Sequence, residues 1–224
     1  RAPAPAAARR RHLLAGAGLL AAAPPPPPAL ALTRPPAGYK RTRDVLDGYE
    51  FLYPKDWVPI TSTGSEVFLR AQDNIEENLF VEVSSPSSSR FDSVGDLGGS
   101  DTVSERFEKQ YLDEFQSTRI GIRREVTRLG SEAVVGADGR DYVDAALRVK
   151  SFAARNQYGL TDDLRAQSLE WDRRVLVRYG VANGRLYQLR LQVPEADYDT
   201  AETQLGFIKD SFACFEVEKG MLGS

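Results

Sequence analysis

Few side chains in this sequence could do chemistry, and their types narrow the chemistry that is open. The one histidine, His12, and the one cysteine, Cys214, lie near opposite ends. His12 falls in a segment read below as a removable leader, so the folded chain would carry no histidine. That excludes Ser–His and Cys–His nucleophiles, HExxH zinc sites and the usual general base near pH 7. A single cysteine excludes a multi-cysteine zinc site and any intrachain disulfide. Cys214 reads as a small buried hydrophobe. No Walker loop occurs, and no GxGxxG opens a helix.

Carboxylates are plentiful, and two stretches crowd oxygen donors. Asp44, Asp47 and Glu50 surround Gly48, while Asp73, Asn74, Glu76 and Glu77 precede a strand. Neither has the twelve-residue EF-hand spacing. Asp44, Asp47, Asp73 and Glu77 are the candidate metal ligands, with solvated turns as their ordinary role. Calcium is the one cofactor left open; otherwise none is expected. Counting alone does not exclude a two-carboxylate hydrolase. Two arginine pairs, Arg123-Arg124 and Arg173-Arg174, could bind carboxylates bidentately on a partner or within the domain. Alternation puts one arginine of the second pair on the Trp171 face and the other outside.

The elements that would position these groups follow from periodicity. Tyr49–Tyr53, Val67–Arg70 and Leu79–Ser84 read as strands. Ser84–Ser89 lies in a loop by composition. Val103, Phe107, Tyr111 and Phe115 recur every four residues behind Thr102-Val-Ser-Glu105, which fits a capping box. Residues 141–151 and 169–181 alternate as long strands, the second with Leu169, Trp171, Val175, Val177 and Tyr179 on one face. Asn183-Gly184 is a two-residue hairpin signal, and Tyr187, Leu189, Leu191 and Val193 alternate beyond it. Glu195–Asp210 reads as a second helix and Phe212–Val217 as a final strand. Residues 153–167 show no pattern and read as an exposed excursion. Two helices and consecutive antiparallel strands indicate an α+β fold, one antiparallel sheet covered by helices.

The leader is Arg9–Ala31. Its apolar run Leu13–Ala23 is about half the ~20 residues that cross a bilayer, and Pro24–Pro28 stops any helix. Arginines, a short apolar run and Ala29-Leu30-Ala31 make a cleavable export signal of twin-arginine type. The acid-free RAPAPAAA before it resembles a transit-peptide remnant. Together they describe entry into a chloroplast and then into the thylakoid lumen, with a periplasmic protein as the competing reading. Removing residues 1–31 takes away four arginines and no acid, so the formal charge falls from −3 to −7. An acidic chain argues against nucleic acid.

GYEFLYPKDW at 48–57 resembles the opening strand of the PsbP domain, and residues 38–217 follow that family's order of elements. The resemblance implies an αβα sandwich with a central antiparallel sheet. ENLFVEVSSPSSS (77–89), VGDLG (94–98), QYLDEFQSTRIGIRRE (110–125), LEWDRRVL (169–176) and NGRLYQLRLQVPE (183–195) look like the PsbP-like protein 2 branch of lumenal subunits of the chloroplast NADH dehydrogenase-like complex. The implied division is 1–31 leader, 32–48 extended arm, 49–217 PsbP domain and 218–224 tail.

The resemblance implies a noncatalytic extrinsic protein, peripheral on the lumenal face of a thylakoid complex, either photosystem II or the NADH dehydrogenase-like complex. Alternatives are a calcium- or manganese-binding protein of the oxygen-evolving complex, or a lumenal carboxylate enzyme. The resemblance runs through Ser84, Ser85, Pro86 and Ser87, with Arg119, Arg123 and Arg124 as an adjoining basic edge. These are the expected partner contacts, against an acidic lumenal surface. The leader yields a first prediction: cleavage after Ala31 leaves Leu32 as the mature N-terminus. Mass spectrometry of the lumenal protein checks it, and a mature form retaining Arg9–Arg11 contradicts it.

Overall fold

Successive side chains of a strand point to opposite faces. A segment whose Tyr187, Leu189, Leu191 and Val193 are all fully buried must therefore have one dry face. The computed structural model describes residues 34–61, 64–85, 90–114, 122–154 and 167–217. Within them run β1 (Tyr39–Asp44), β2 (Tyr49–Pro54), β3 (Val58–Pro59), β4 (Val67–Arg70), β5 (Asn78–Val83), α1 (Ser100–Glu114), β6 (Ile122–Val135), β7 (Asp141–Ala154), β8 (Gln167–Ala182), β9 (Arg185–Pro194), α2 (Tyr198–Asp210) and β10 (Ala213–Cys214). Short 3-10 turns at Val94–Leu97 and Glu195–Asp197 lead into the two helices.

Seven strands form one sheet in the order β3-β4-β5-β9-β8-β7-β6, every neighbouring pair antiparallel. A second sheet has the order β1-β2-β10. On one face of the large sheet, Val103, Phe107 and Tyr111 of α1 pack against β7 and β8 through Val143, Leu147, Val149, Val175 and Tyr179. On the other face, Leu205 and Ile208 of α2 join Tyr49 and Phe51 of the small sheet. These pack over Leu69, Leu79, Val81 and the alternating residues of β9. The α+β class and the central antiparallel sheet are thus as the sequence indicates.

Several local expectations need correction. The capping box is not at Thr102, because α1 already starts at Ser100. It sits instead on the preceding 3-10 turn: Ser93 Oγ accepts from Gly95 N–H, while Asp96 Oδ2 accepts from Ser93 N–H at 3.0 Å and Asp92 N–H at 2.7 Å. Leu169 does not share the Trp171 face. The register shifts between Ser151 and Phe152, so Leu169 pairs with Phe152 on the opposite face and is 53% exposed. Part of the extended arm is a strand, β1, which pairs with β2 along its whole length. The expected final strand 212–217 contracts to Ala213–Cys214, since a side chain takes over the pairing: Val217 N–H donates to Asn183 Oδ1 at 2.8 Å. Of the expected excursion 153–167, Ala153 and Ala154 belong to β7 and Gln167 to β8, while Phe115 and residues 155–166 lie outside the described residues.

A clasp ties the small sheet to the large one. Asn183 adopts the left-handed conformation the hairpin turn needs, with φ 55°, and its Nδ2 donates to Tyr187 Oη and to the Phe215 carbonyl. Tyr187 O–H donates in turn to the Asp47 carbonyl at 2.5 Å. Gly48 is enclosed by this clasp: its φ is +79°, and a Cβ there would lie 2.5 Å from the Phe215 carbonyl and 2.8 Å from Asn183 Nδ2. Gly184 has a similar φ, +68°, but open space around it. Gly48→Ala should therefore cost on the order of 3 kcal/mol, combining backbone strain with disrupted hydrogen bonds. Gly184→Ala should cost only about 1 kcal/mol of left-handed strain. Denaturant melts of the two variants check the contrast.

Candidate functional site

Guanidinium groups give the exposed end of the large sheet its character. On the α2-side face, β6, β7 and β8 extend past the helix and carry Arg123, Arg148, Asp172 and Arg174. Arg148 grips Asp172 bidentately, Nε to Oδ1 at 3.0 Å and NH2 to Oδ2 at 2.7 Å. Arg174 grips Glu195 the same way, at 3.0 and 2.5 Å, and stacks 3.8 Å over the Tyr198 ring. A longer contact of 3.6 Å from Arg148 to Glu195 joins the two pairs into one ladder. The Arg148 guanidinium holds the Asp172 carboxyl below its ordinary range. Arg148 keeps 36% of its side-chain exposure, so its pair with Asp172 is screened by water and contributes about 0–1 kcal/mol to stability. The Arg174–Glu195 pair is more enclosed, at 22% and 16%.

On the opposite face, Trp171 carries two arginines. Arg173 lies 4.3 Å from the indole centroid and pairs with Glu76 at 2.7 Å, while Arg124 lies 6.0 Å from the same ring. Alternation along β8 thus separates Arg173 from Arg174 as the sequence indicates.

The structure spreads the expected partner contacts over different places. Ser84 continues the β5–β9 pairing: its N–H donates to the Leu186 carbonyl, and its Oγ accepts from Leu186 N–H at 2.9 Å. Its carbonyl accepts from Arg185 Nε. Ser85 is exposed. Pro86, Ser87 and Arg119 lie outside the described residues. Arg123 pairs with Glu125 and stacks 4.6 Å over Phe152, on the ladder side. Arg124 faces Trp171 on the other side. The two neighbouring arginines therefore serve different faces of the sheet.

The candidate metal ligands have protein partners or acidic neighbours. Asp44 Oδ1 accepts from the N–H groups of Leu46 and Asp47, closing the β1–β2 turn. Asp47 Oδ1 accepts from Arg185 at 2.7 Å. Burial, then Asp73, Asp197 and Asp56, push the Glu77 carboxyl above its ordinary value. Among the described residues no three histidine, cysteine or carboxylate side chains gather as a metal cage. The Arg148–Asp172–Glu195–Arg174 ladder escaped sequence reasoning, because its members meet only through the β7–β8 and β8–β9 registers.

The PsbP family model matches residues 37–214. Over 169 residues the chain is 41% identical to PsbP domain-containing protein 1, chloroplastic, of Arabidopsis thaliana, covering 75% of this chain and 59% of that protein. Over 181 residues it is 27% identical to CyanoP of Thermosynechococcus vestitus, covering 80% of this chain and 87% of that one. The solution structure of cyanobacterial PsbP (CyanoP) from Synechocystis superposes with a TM-score of 0.59 at 27% identity, covering 80% and 94% of the two chains.

Glu77 generates a pH prediction. A carboxyl with a raised folded pKa binds its proton more tightly folded than unfolded, so stability falls as pH rises through that window. The window opens at the ordinary value, 4.5, and extends upward. Glu77→Gln should raise the melting temperature at neutral pH, with the gain shrinking toward pH 4.5. A pH series of thermal melts checks it.

Proposed function

This chain belongs to the PsbP family, and on that premise we propose that it is a noncatalytic extrinsic subunit on the lumenal side of the thylakoid membrane. It stabilises or helps assemble a photosynthetic membrane complex and needs no bound cofactor to do so. The family match over residues 37–214, from before β1 to the end of β10, carries this reading. The chloroplastic relative and the cyanobacterial ones support a photosynthetic setting. The leader supports the lumenal address.

Docking runs through exposed charge. The ladder end of the large sheet, with Arg123, Lys150, Arg148 and Arg174, meets an acidic lumenal surface of photosystem II or of the NADH dehydrogenase-like complex. Phe152 and Leu169 on the same face add apolar contact. Such contacts are screened over about 8–10 Å near physiological ionic strength, so attachment weakens with salt.

Native electrophoresis of gently solubilised thylakoids, probed with an antibody to this protein, tests the reading and separates the two complexes. Co-migration with one of them is expected; recovery only as free protein contradicts it. The reversal Arg123→Glu should leave the fold intact, since Arg123 is exposed and exposed substitutions shift stability by about 0.5 kcal/mol or less. It should also release the protein from washed membranes at lower salt. Release at unchanged salt, with unchanged circular dichroism, moves the docking face elsewhere.

A further inference from the structure

On the α1 side of the large sheet, α1 packs over β6, β7 and β8 and leaves part of β5 open. The opening is a groove of two joined cavities, about 480 and 340 Å3, which share Glu82 and Gly64. Arg106 and Gln110 of α1 form one wall, Phe91 and Leu186 give it an apolar end, and Glu82 and Gln188 lie on its floor. Glu82 and Gln188 are direct cross-strand partners, which sets their Cβ atoms about 5 Å apart.

A chain of hydrogen bonds fixes which end of the Gln188 amide is unsatisfied. Glu114 is a carboxylate and can only accept, so the group at 2.7 Å from its Oε1 must be the Gln110 amide nitrogen. Tyr179 O–H donating to Gln110 Oε1 agrees with that orientation. The second Gln110 N–H then donates to Gln188 Oε1 at 3.1 Å. What remains is Gln188 Nε2, a donor on a side chain that is only 5% exposed. It finds no acceptor among the described residues. A buried donor left unmade costs about 1–3 kcal/mol.

Glu82 is the complementary half. It stands opposite Gln188 in the β5–β9 register, and no hydrogen bond joins the two. Arg190 pairs with Glu114 at 2.5 Å. Burial raises the Glu82 carboxyl above its ordinary range, Arg190 opposes that, and Glu114 adds to it. An unsatisfied donor and an acceptor stand side by side on the groove floor.

We propose that this groove binds a carboxamide group, whose carbonyl accepts from Gln188 Nε2 and whose N–H donates to Glu82. A carboxylate ligand would satisfy Gln188 but be repelled by Glu82. An ammonium or guanidinium would satisfy Glu82 but offers Gln188 no acceptor. Only a group with both functions answers the pair. Its source is either a polypeptide, through a backbone or Asn/Gln amide, or a small free amide. The assignment does not depend on which membrane complex the protein serves.

The test is a titration of the isotope-labelled protein followed by nuclear magnetic resonance, reading the Gln188 side-chain amide and the Glu82 backbone amide. Acetamide should give saturable shifts at both. N,N-dimethylacetamide keeps the carbonyl but lacks the N–H, and should bind about tenfold more weakly for loss of a hydrogen bond to a charged acceptor. Sodium acetate should give no saturable shift. Glu82→Leu and Gln188→Leu should each weaken acetamide binding about tenfold. N-acetylglycinamide binding more tightly than acetamide identifies a polypeptide source, and equal binding a small amide; both support the site. Equal responses to acetamide, dimethylacetamide and acetate overturn it, as does the lack of any saturable shift. The ligand series on the unaltered protein decides the matter even if a variant fails to fold.

Discussion

The structure depends on one constraint: a seven-stranded antiparallel sheet with two apolar faces must be covered twice, and its two covers are offset. On one face α1 stands over β6, β7 and β8, while on the other α2 and the small sheet stand over β4, β5 and β9. A face left to water must carry polar side chains, because exposing a contiguous apolar face wastes about 25 cal/mol for each Å2. Arg148, Asp172 and Arg174 occupy the outer ends of β7 and β8 on the α2 side, where they keep partial contact with water. Gln188, Arg190 and Gln192 alternate with the apolar residues of β9 on the α1 side and are buried there against Gln110, Glu114 and Tyr111 of α1.

Holding the covers in place takes a small number of buried polar contacts. Arg178, with a side chain 5% exposed, grips Asp144 through two 2.7 Å bonds and also reaches Asp210 and the Lys209 carbonyl, tying the end of α2 to the sheet. Removing one partner of such a buried pair costs about 3–5 kcal/mol, since the other charge is left without compensation. Tyr142 does the same for β10: its hydroxyl donates to Asp138 and accepts from Cys214 N–H at 2.9 Å. Burial pushes the Cys214 thiol up, so it packs as a neutral group. The cysteine is a structural residue, as its surroundings in the sequence indicate.

Legibility followed periodicity. Where apolar and polar side chains alternate, as in Tyr187–Val193 or Val143–Val149, the alternation identified both strand and face. Asn183-Gly184 named its own turn through the positive φ it requires. β6 was harder: an edge strand exposed on most of its length shows no apolar alternation, so periodicity does not mark it. The bulge that flips Leu169 leaves no mark in composition. The sites were less legible than the fold for the same reason. Arg148 meets Asp172, and Glu82 meets Gln188, only through the register of neighbouring strands, a long-range property that no local spacing contains. Arg123 and Arg124 were visible as a pair, but their assignment to opposite faces needed the sheet around them.

The central claim is that the sheet end left uncovered by α2 is the surface that meets a lumenal membrane complex. Hydroxyl-radical footprinting of the protein free and bound to thylakoid membranes tests it most directly. Phe152 and Leu169, which stand opposite each other on that face, should be oxidised in the free protein and protected in the bound one. Val135, 72% exposed at the far end of β6, should label equally in both. Unchanged labelling of Phe152 and Leu169 on binding, with protection at Val135 instead, would contradict the account.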